Sequence, residues 1–267
     1  AYSNGLRRKQ NSKISNCENY GDIRNDFIGG IVGTTCQIPL VESCKNYGNI
    51  NDAAYASGGI SSDYCGYSGT NNITIRNCSN YGDIISGLNC GCILSDICAD
   101  TNGNVNIINC FNIGLIDVSE NPNYGIVSEN PAQNNGTLNI VNTYNYSDGV
   151  SGGIFGAINP DPEKQPKLIS LNNIYSFKSN DADPNAISDP VSLQNPVVKL
   201  ANIYTPVKSQ WNNEEASGIL IGGPNYTSSP PNLVGPIWTD PIITFCEGNS
   251  PDDELCGWDL TENPIII

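Results

Sequence analysis

Thiols and carboxylates are the side chains of this sequence that could do chemistry: it has eleven Cys, 27 Asp and Glu together, and no His. Regularly spaced thiols either cross-link, bind a soft metal or pack as small apolar groups. Two series stand out. Cys17, Cys44, Cys78 and Cys110 form one; Cys36, Cys65 and Cys98, each five residues after Ile31, Ile60 and Ile93, form the other. Between the series the separations are 19, 21 and 20 residues, constant enough to predict the disulfides Cys17–Cys36, Cys44–Cys65 and Cys78–Cys98. Cys246 and Cys256 would close a hairpin near the end, and Cys110 would choose between Cys90 and Cys92. Zinc is disfavoured, because Cys90-x-Cys92 is the only close pair and imidazole is absent. The competing reading is that inward Cys simply pack.

The carboxylates carry less pattern. Without His, mechanisms that need imidazole as base or ligand are excluded, but glycoside cleavage needs only two carboxylates about 5 to 10 Å apart. Asp22 and Asp83 share one frame position, yet Asn49 and Leu115 replace them in the other copies, so they read as turn residues. Asp252, Asp253 and Glu254 fall inside the expected Cys246–Cys256 loop and read as solvated. A Ca²⁺-assisted lyase would want clustered acids near Arg24, Lys45 or Arg76, and none is in sequence there. Oxygen-rich turns such as Asp181-Ala182-Asp183 leave room for a structural Ca²⁺, but no EF-hand or Gly-Gly-x-Gly-x-Asp repeat occurs, so no catalytic, cofactor or metal residues are assigned.

What must position the cysteines is a repeat. The stretch NCSNYGDIISGLNCGCI at Asn77–Ile93 returns as NCENYGDIRNDFIGGI from Asn16, SCKNYGNINDAAYASGGI from Ser43, NCFNIGLIDVSENPNYGI from Asn109 and NTYNYSDGVSGGI from Asn142, then as NIYS from Asn173 and NIYT from Asn202. Successive copies lie 27 to 34 residues apart, the period of a solenoid. The copies are rich in Asn, Gly, Ser, Ile, Val and Tyr, which suits strands and turns better than helices. β-Branched runs at Asn72–Arg76, Val105–Ile108 and Leu138–Val141 precede the conserved frame, and Asn-x-Gly follows it. The expected fold is therefore all-β: a parallel β-helix of about seven coils with a Pro-rich, disulfide-closed C-terminal cap or tail.

In such a coil like stacks over like at about 4.8 Å. This predicts a Cys column, an Asn column (Asn19, Asn46, Asn80, Asn112, Asn145) and a Tyr column (Tyr20, Tyr47, Tyr81, Tyr146, broken at Ile113), all read as scaffold. The segments Ser61–Asn72, Asp96–Asn104 and Glu129–Thr137 read as loops on the rod's flank.

The pattern NCxNYGxI followed by GGIVG (Gly29–Gly33) resembles the GLUG-type repeats of surface proteins and adhesins. The resemblance covers about Ile14 to Gly156. It implies extracellular display in a structural or adhesive role, with no catalytic residues.

Composition frames the rest. A net charge of −15 with only 12 Lys and Arg argues against nucleic acid and anionic membranes as partners. No apolar run approaches a membrane span, so no membrane insertion is expected. No Met occurs and the chain begins Ala-Tyr-Ser, which reads as a processed or partial product. Of five Asn-x-Ser/Thr sequons, Asn72, Asn135 and Asn225 sit in turn-like surroundings and are the better glycan acceptors, whereas Asn77 and Asn145 lie in the repeat frame. Residues 1–13, with Arg7, Arg8 and Lys9, read as an arm or partial coil, 14–221 as the solenoid and 222–267 as the Pro-rich cap or tail. The apolar end Ile265-Ile266-Ile267 could pair with a neighbouring sheet edge. The reading is an extracellular structural protein, a filament or appendage subunit that binds itself or other surface proteins. An adhesin stalk or a polysaccharide-acting enzyme is the alternative.

Overall fold

The computed structural model describes residues 12–24, 26–53, 55–67, 72–86, 89–118, 124–145, 155–176, 198–204 and 220–221. The first coil contributes β1 (Lys13–Ser15), β2 (Glu18–Asn19), β3 (Ile23–Arg24) and β4 (Phe27–Gly29). The second repeats them as β5 (Leu40–Glu42), β6 (Lys45–Asn46), β7 (Ile50–Ala53) and β8 (Ala56–Gly58), and the third as β9 (Asn72–Arg76), β10 (Ser79–Asn80), β11 (Ile84–Ser86) and β12 (Cys90–Gly91). The fourth holds β13 (Asn104–Ile108), β14 (Phe111–Asn112) and β15 (Ile116–Val118). Above them lie β16 (Thr137–Asn145), β17 (Leu168–Ser176), β18 (Val198–Tyr204) and β19 (Leu220–Ile221).

Corresponding strands pair in parallel, in the orders β1-β5-β9-β13-β16, β2-β6-β10-β14-β16, β3-β7-β11-β15 and β4-β8-β12. The molecule is thus an all-β, parallel solenoid of about four turns, with β17 and β18 continuing the first face in register. At its far end β19 pairs antiparallel with Ile203 and Tyr204 of β18. No helix among the described residues is long and apolar enough to cross a membrane.

The alternation inside each strand explains the core. In β9 and β13 every second residue is buried, and the register stacks Ile14, Val41, Ile75, Ile107, Ile140 and Leu171 into one apolar column. Ile73, Val105, Leu138 and Ile169 form a second, and Ile50, Ile84 and Ile116 a third, each side chain fully removed from water. Burying one such residue contributes about 1.5–3 kcal/mol before entropy is counted.

The frame residues make the corners. Asn16, Ser43, Asn77 and Asn109 have φ of 53°, 52°, 53° and 54°, the left-handed conformation in which Asn is least penalised, and each bends the chain between the first two faces. The Gly-Gly-Ile pattern has a packing cause. A Cβ on Gly59 would lie 2.1 Å from the Cys92 carbonyl oxygen and 2.6 Å from Asn80 Cγ, because the fourth face passes directly against the Asn column.

One expectation is corrected here. Segments 61–67, 94–103 and 127–136 are not loose flank loops but stacked bends. Parallel bridges join Ser61 to Leu94, Leu94 to Val127 and Val127 to Phe155, and Ser62, Cys65, Cys98 and Ala132 are buried within them. Left-handed residues at Tyr64, Gly66, Ile97, Ala99, Asn130 and Ala132 repeat the same bend in each coil, which is why they lack the alternation of strands.

Candidate functional site

Three kinds of polar column, amide, thiol and acidic, could act chemically. The amide column is buried and one-way. Asn19 Nδ2 donates to Asn46 Oδ1 (2.7 Å), Asn46 to Asn80 (2.7 Å), Asn80 to Asn112 (2.6 Å) and Asn112 to Asn145 (2.8 Å). Each Nδ2 also caps the carbonyl two residues on, at Gly21, Gly48, Gly82 or Gly114, which fixes the Asn-x-Gly turn. Asn145 Oδ1 also accepts from the Cys92 thiol (2.8 Å), and its Nδ2 has no acceptor among the described residues. Outside this column Tyr20, Tyr47 and Tyr81 stack at 4.9 and 4.7 Å, and Phe111 closes the row edge-on.

The sulfur columns come next. None of the nine described cysteines is in a disulfide, so the expected Cys17–Cys36, Cys44–Cys65 and Cys78–Cys98 pairs are not bonded in this structure. The physical reason is the register: constant separation along the chain reflects two bends of one coil, and each sulfur's neighbour is the equivalent sulfur in the next coil. Cys17 lies against Cys44, Cys44 against Cys78 and Cys78 against Cys110. These thiols donate to carbonyls two residues back: Cys44 to Glu42 (3.2 Å), Cys78 to Arg76 (3.2 Å) and Cys110 to Ile108 (3.3 Å). Cys110 therefore pairs with neither Cys90, which meets the Ser57 hydroxyl at 2.8 Å, nor Cys92. The neighbouring thiol Cys78, then burial, push Cys44 far up, and burial does the same to Cys78.

In the second sulfur column Cys36 neighbours Cys65. Cys36 behaves in the opposite sense from the first column. The neighbouring Cys65 thiol, and after it the Ile38 N–H, outweigh burial and hold its sulfur below the ordinary thiol value, while Cys65 is pushed well above it by Cys36 and by burial.

The third column is acidic and was not visible as a cluster in the sequence. Backbone bonds from Thr35 N–H to Asp63 O (2.9 Å), Tyr64 to Asp96 (3.3 Å) and Ile97 to Glu129 (3.3 Å) place Asp63, Asp96 and Glu129 one above another in the stacked bend. Asp96 Oδ1 accepts from its neighbour Ile97 N–H (2.7 Å) and Oδ2 from Asn89 Nδ2 (3.1 Å). Glu129 accepts from the Tyr124 hydroxyl (3.2 Å), and Asp63 from the Ser62 hydroxyl (3.3 Å). Burial, and secondarily the Glu129 charge, push the Asp96 carboxyl up to about 6, and burial also raises Asp63. A carboxyl that titrates at about 6 beside a second carboxylate keeps a minor protonated fraction near neutrality, from which a proton can pass to a leaving oxygen. The available signal was Asp two residues before Cys in Asp63-x-Cys65 and Asp96-x-Cys98, hidden because Thr34 and Glu129 break it.

The remaining expected residues are dispersed. Asp22 Oδ1 accepts from Asn49 N–H (3.0 Å) and Asp83 Oδ1 from Leu115 N–H (2.9 Å), so both are coil-to-coil turn residues. Arg76 and Lys13 pair with Glu42 on the outer face, at 2.8 and 3.1 Å. Asn72 and Asn135 are exposed, whereas Asn145 is fully buried in the amide column. No group of three Cys, Asp or Glu able to hold a metal ion occurs among the described residues. Asn225, Cys246, Cys256, the Asp181–Asp183 and Asp252–Glu254 turns, Tyr146 and Ile265, Ile266 and Ile267 lie outside the described residues. No protein-family model, curated protein or solved structure matches this chain.

Proposed function

We propose that this chain is an extracellular structural protein, the subunit of a surface appendage or filament whose molecules stack end to end. One observation carries the reading: the amide column has a direction, and among the described residues β1 and β2 have no strand partner on the first edge. Among the described residues Asn19 Oδ1, at the acceptor end, takes only the local Gly21 N–H (3.3 Å), and the neighbouring Tyr20 is 70% exposed. An edge of unpaired strand backbone crowned by a ready acceptor is a template for another coil. On this reading β17 and β18 belong to further coils, seven in all. The Val198–Ala201 stretch left clear of β19 is then the opposing edge, and Ile265–Ile267 a strand that adds to it. The resemblance to GLUG-type repeats supports the same role. Electron microscopy of the native chain tests it: continuous filaments with one rod per axial repeat are expected, and isolated short rods at micromolar concentration overturn it in favour of a monomeric stalk.

A second reading has one observation in its favour, the raised Asp96 carboxyl beside Glu129. A polysaccharide-acting enzyme would release reducing ends from acidic glycans and lose that activity in Asp96→Asn. Absence of release in the parent chain removes this reading.

A further inference from the structure

The aromatic row beside the amide column ends in a phenol whose surroundings combine three features. Tyr20 is the most exposed of the large apolar side chains described, at 70%. Its hydroxyl donates to Glu18 Oε2 at 2.6 Å. One face of its ring lies on Tyr47, with centroids 4.9 Å apart and planes only 6° from parallel, and Tyr47 lies in turn on Tyr81 at 4.7 Å. The ladder fixes this stack. Glu18 and Asn19 pair in register with Lys45 and Asn46, and Tyr47 N–H donates to Asn19 O at 2.8 Å, so the two rings hang from the next position of both strands.

The other candidate phenols each lack one of these features. Tyr55, 53% exposed, stacks on Phe27, a ring with no hydroxyl to oxidise. Tyr67 meets Tyr64 edge to face, at 87°. Tyr124 has the Glu129 carboxylate at 3.2 Å but is 5% exposed. Only at Tyr20 do access, a proton acceptor and a second stacked phenol coincide among the described residues. Glu18 holds the Tyr20 phenol protonated above its ordinary range, so an electron leaves readily only together with the proton, and the carboxylate that holds it is the acceptor at hand.

We propose that Tyr20 and Tyr47 are a site of oxidative cross-linking, joined as a dityrosine that staples the first described coil to the second when a haem peroxidase and hydrogen peroxide supply the oxidant. One electron leaves each ring, and each phenol gives up its proton, that of Tyr20 to Glu18 and that of Tyr47 to solvent. The two phenoxyl radicals join through carbons ortho to oxygen. The hydrogens on those carbons then move to the oxygens and restore both phenols, so the chain loses two hydrogens and one hydrogen peroxide becomes two waters. Parallel rings carried on neighbouring strands present these carbons to each other, and the exposed Tyr20 side chain is free to tilt as the bond forms. The staple needs one molecule only and stands independently of the filament reading.

The test is a cross-link map. An equal mixture of unlabelled and ¹⁵N-labelled native chain is treated with N-ethylmaleimide, which blocks the exposed Cys17 thiol, then with horseradish peroxidase and hydrogen peroxide, and is digested. A Tyr20–Tyr47 linked peptide, lighter by two hydrogens and carrying a single isotope label throughout, is the expected result. Mixed-label linkage, dityrosine at Tyr64–Tyr67, or no dityrosine overturns the proposal. Tyr20→Phe should abolish the dityrosine fluorescence, and its persistence would place the bond elsewhere and overturn the assignment; the exposure of this ring makes loss of fold an empty explanation. Glu18→Gln should slow the linkage about tenfold, less than the loss of a buried general base because solvent stands in. An unchanged rate removes Glu18 as the proton acceptor.

Discussion

The amide column and the carboxylate column obey the same stacking rule with opposite results. Both place equivalent positions of successive coils over one another at the coil rise. An amide carries a donor and an acceptor, so Asn19 to Asn145 can satisfy one another indefinitely and tolerate complete burial. A carboxylate only accepts, so Asp63, Asp96 and Glu129 must each find an outside donor, and Asp96 still carries a raised carboxyl. Repetition is therefore cheap for a self-complementary side chain and costly for a charged one. That cost explains why the acid series mixes Thr34, Asp and Glu while the amide series does not vary.

The sharpest way to break the comparison is to put a carboxylate in the amide column. Asn80→Asp removes the donor to Gly82 O and Asn112 Oδ1 and leaves a buried charge, which should cost about 3–5 kcal/mol at neutral pH. Urea unfolding at two pH values checks it: the loss should shrink on acidification, as the protonated carboxyl regains an O–H donor. An undiminished loss in acid would mean that shape, not donor count, matters there.

Gly59→Ala asks how much room the amides need. The added methyl meets the Cys92 carbonyl and Asn80, so unfolding should move by about 3 kcal/mol against the variant. An unchanged urea midpoint would show that the fourth face can slide away from the column.

Relieving the acid column should have the opposite sign. The folded Asp96 value, about 6, lies above its unfolded value, so the folded state binds more protons between the two and stability falls as pH rises through that window. Asp96→Asn should therefore stabilise by about 1–2 kcal/mol at neutral pH and change little below about pH 4, read from thermal unfolding across pH. A destabilised variant at neutral pH would place Asp96 in a paired rather than a penalised setting.

The smallest effect belongs to the outer-face ion pairs of Glu42, with Arg76 in register on the next coil and Lys13 reaching across from the register position of Leu40. The Arg76 hydrogen bond, then Lys13, holds the Glu42 carboxyl below its ordinary value, so its contribution is present above the unfolded pKa and fades as pH falls through the folded one. Glu42→Gln should lose about 0.5 kcal/mol at neutral pH and nothing in strong acid. A pH-independent loss would assign the effect to packing.

These columns also show what the sequence made legible. The parallel pairing, the Asn, Cys and Tyr stacks and the strands at Asn72–Arg76, Val105–Ile108 and Leu138–Val141 could be read because a solenoid converts sequence period into vertical neighbours. Lateral neighbours are a different matter. The separations within a coil (19, 21 and 20 residues) are more regular than those from coil to coil (27, 34 and 32 between Cys17, Cys44, Cys78 and Cys110), yet it is the latter that mean contact, and period alone does not say so. The bends at Tyr64, Ile97 and Asn130 were equally opaque, since nothing in Tyr or Ile announces a left-handed residue; the stack above and below imposes it. The acid column shared that fate, because its members lie on those bends.

The one-way amide chain has a consequence for how the molecule is made. Every bond in it runs from the nitrogen of an earlier coil to the oxygen of a later one, so a nascent chain emerging N-terminus first always ends in an unspent N–H. Each new coil arrives carrying the oxygen that this donor lacks. A coil added in chain order is met by that donor, and one docked upside down would set hydrogen against hydrogen there.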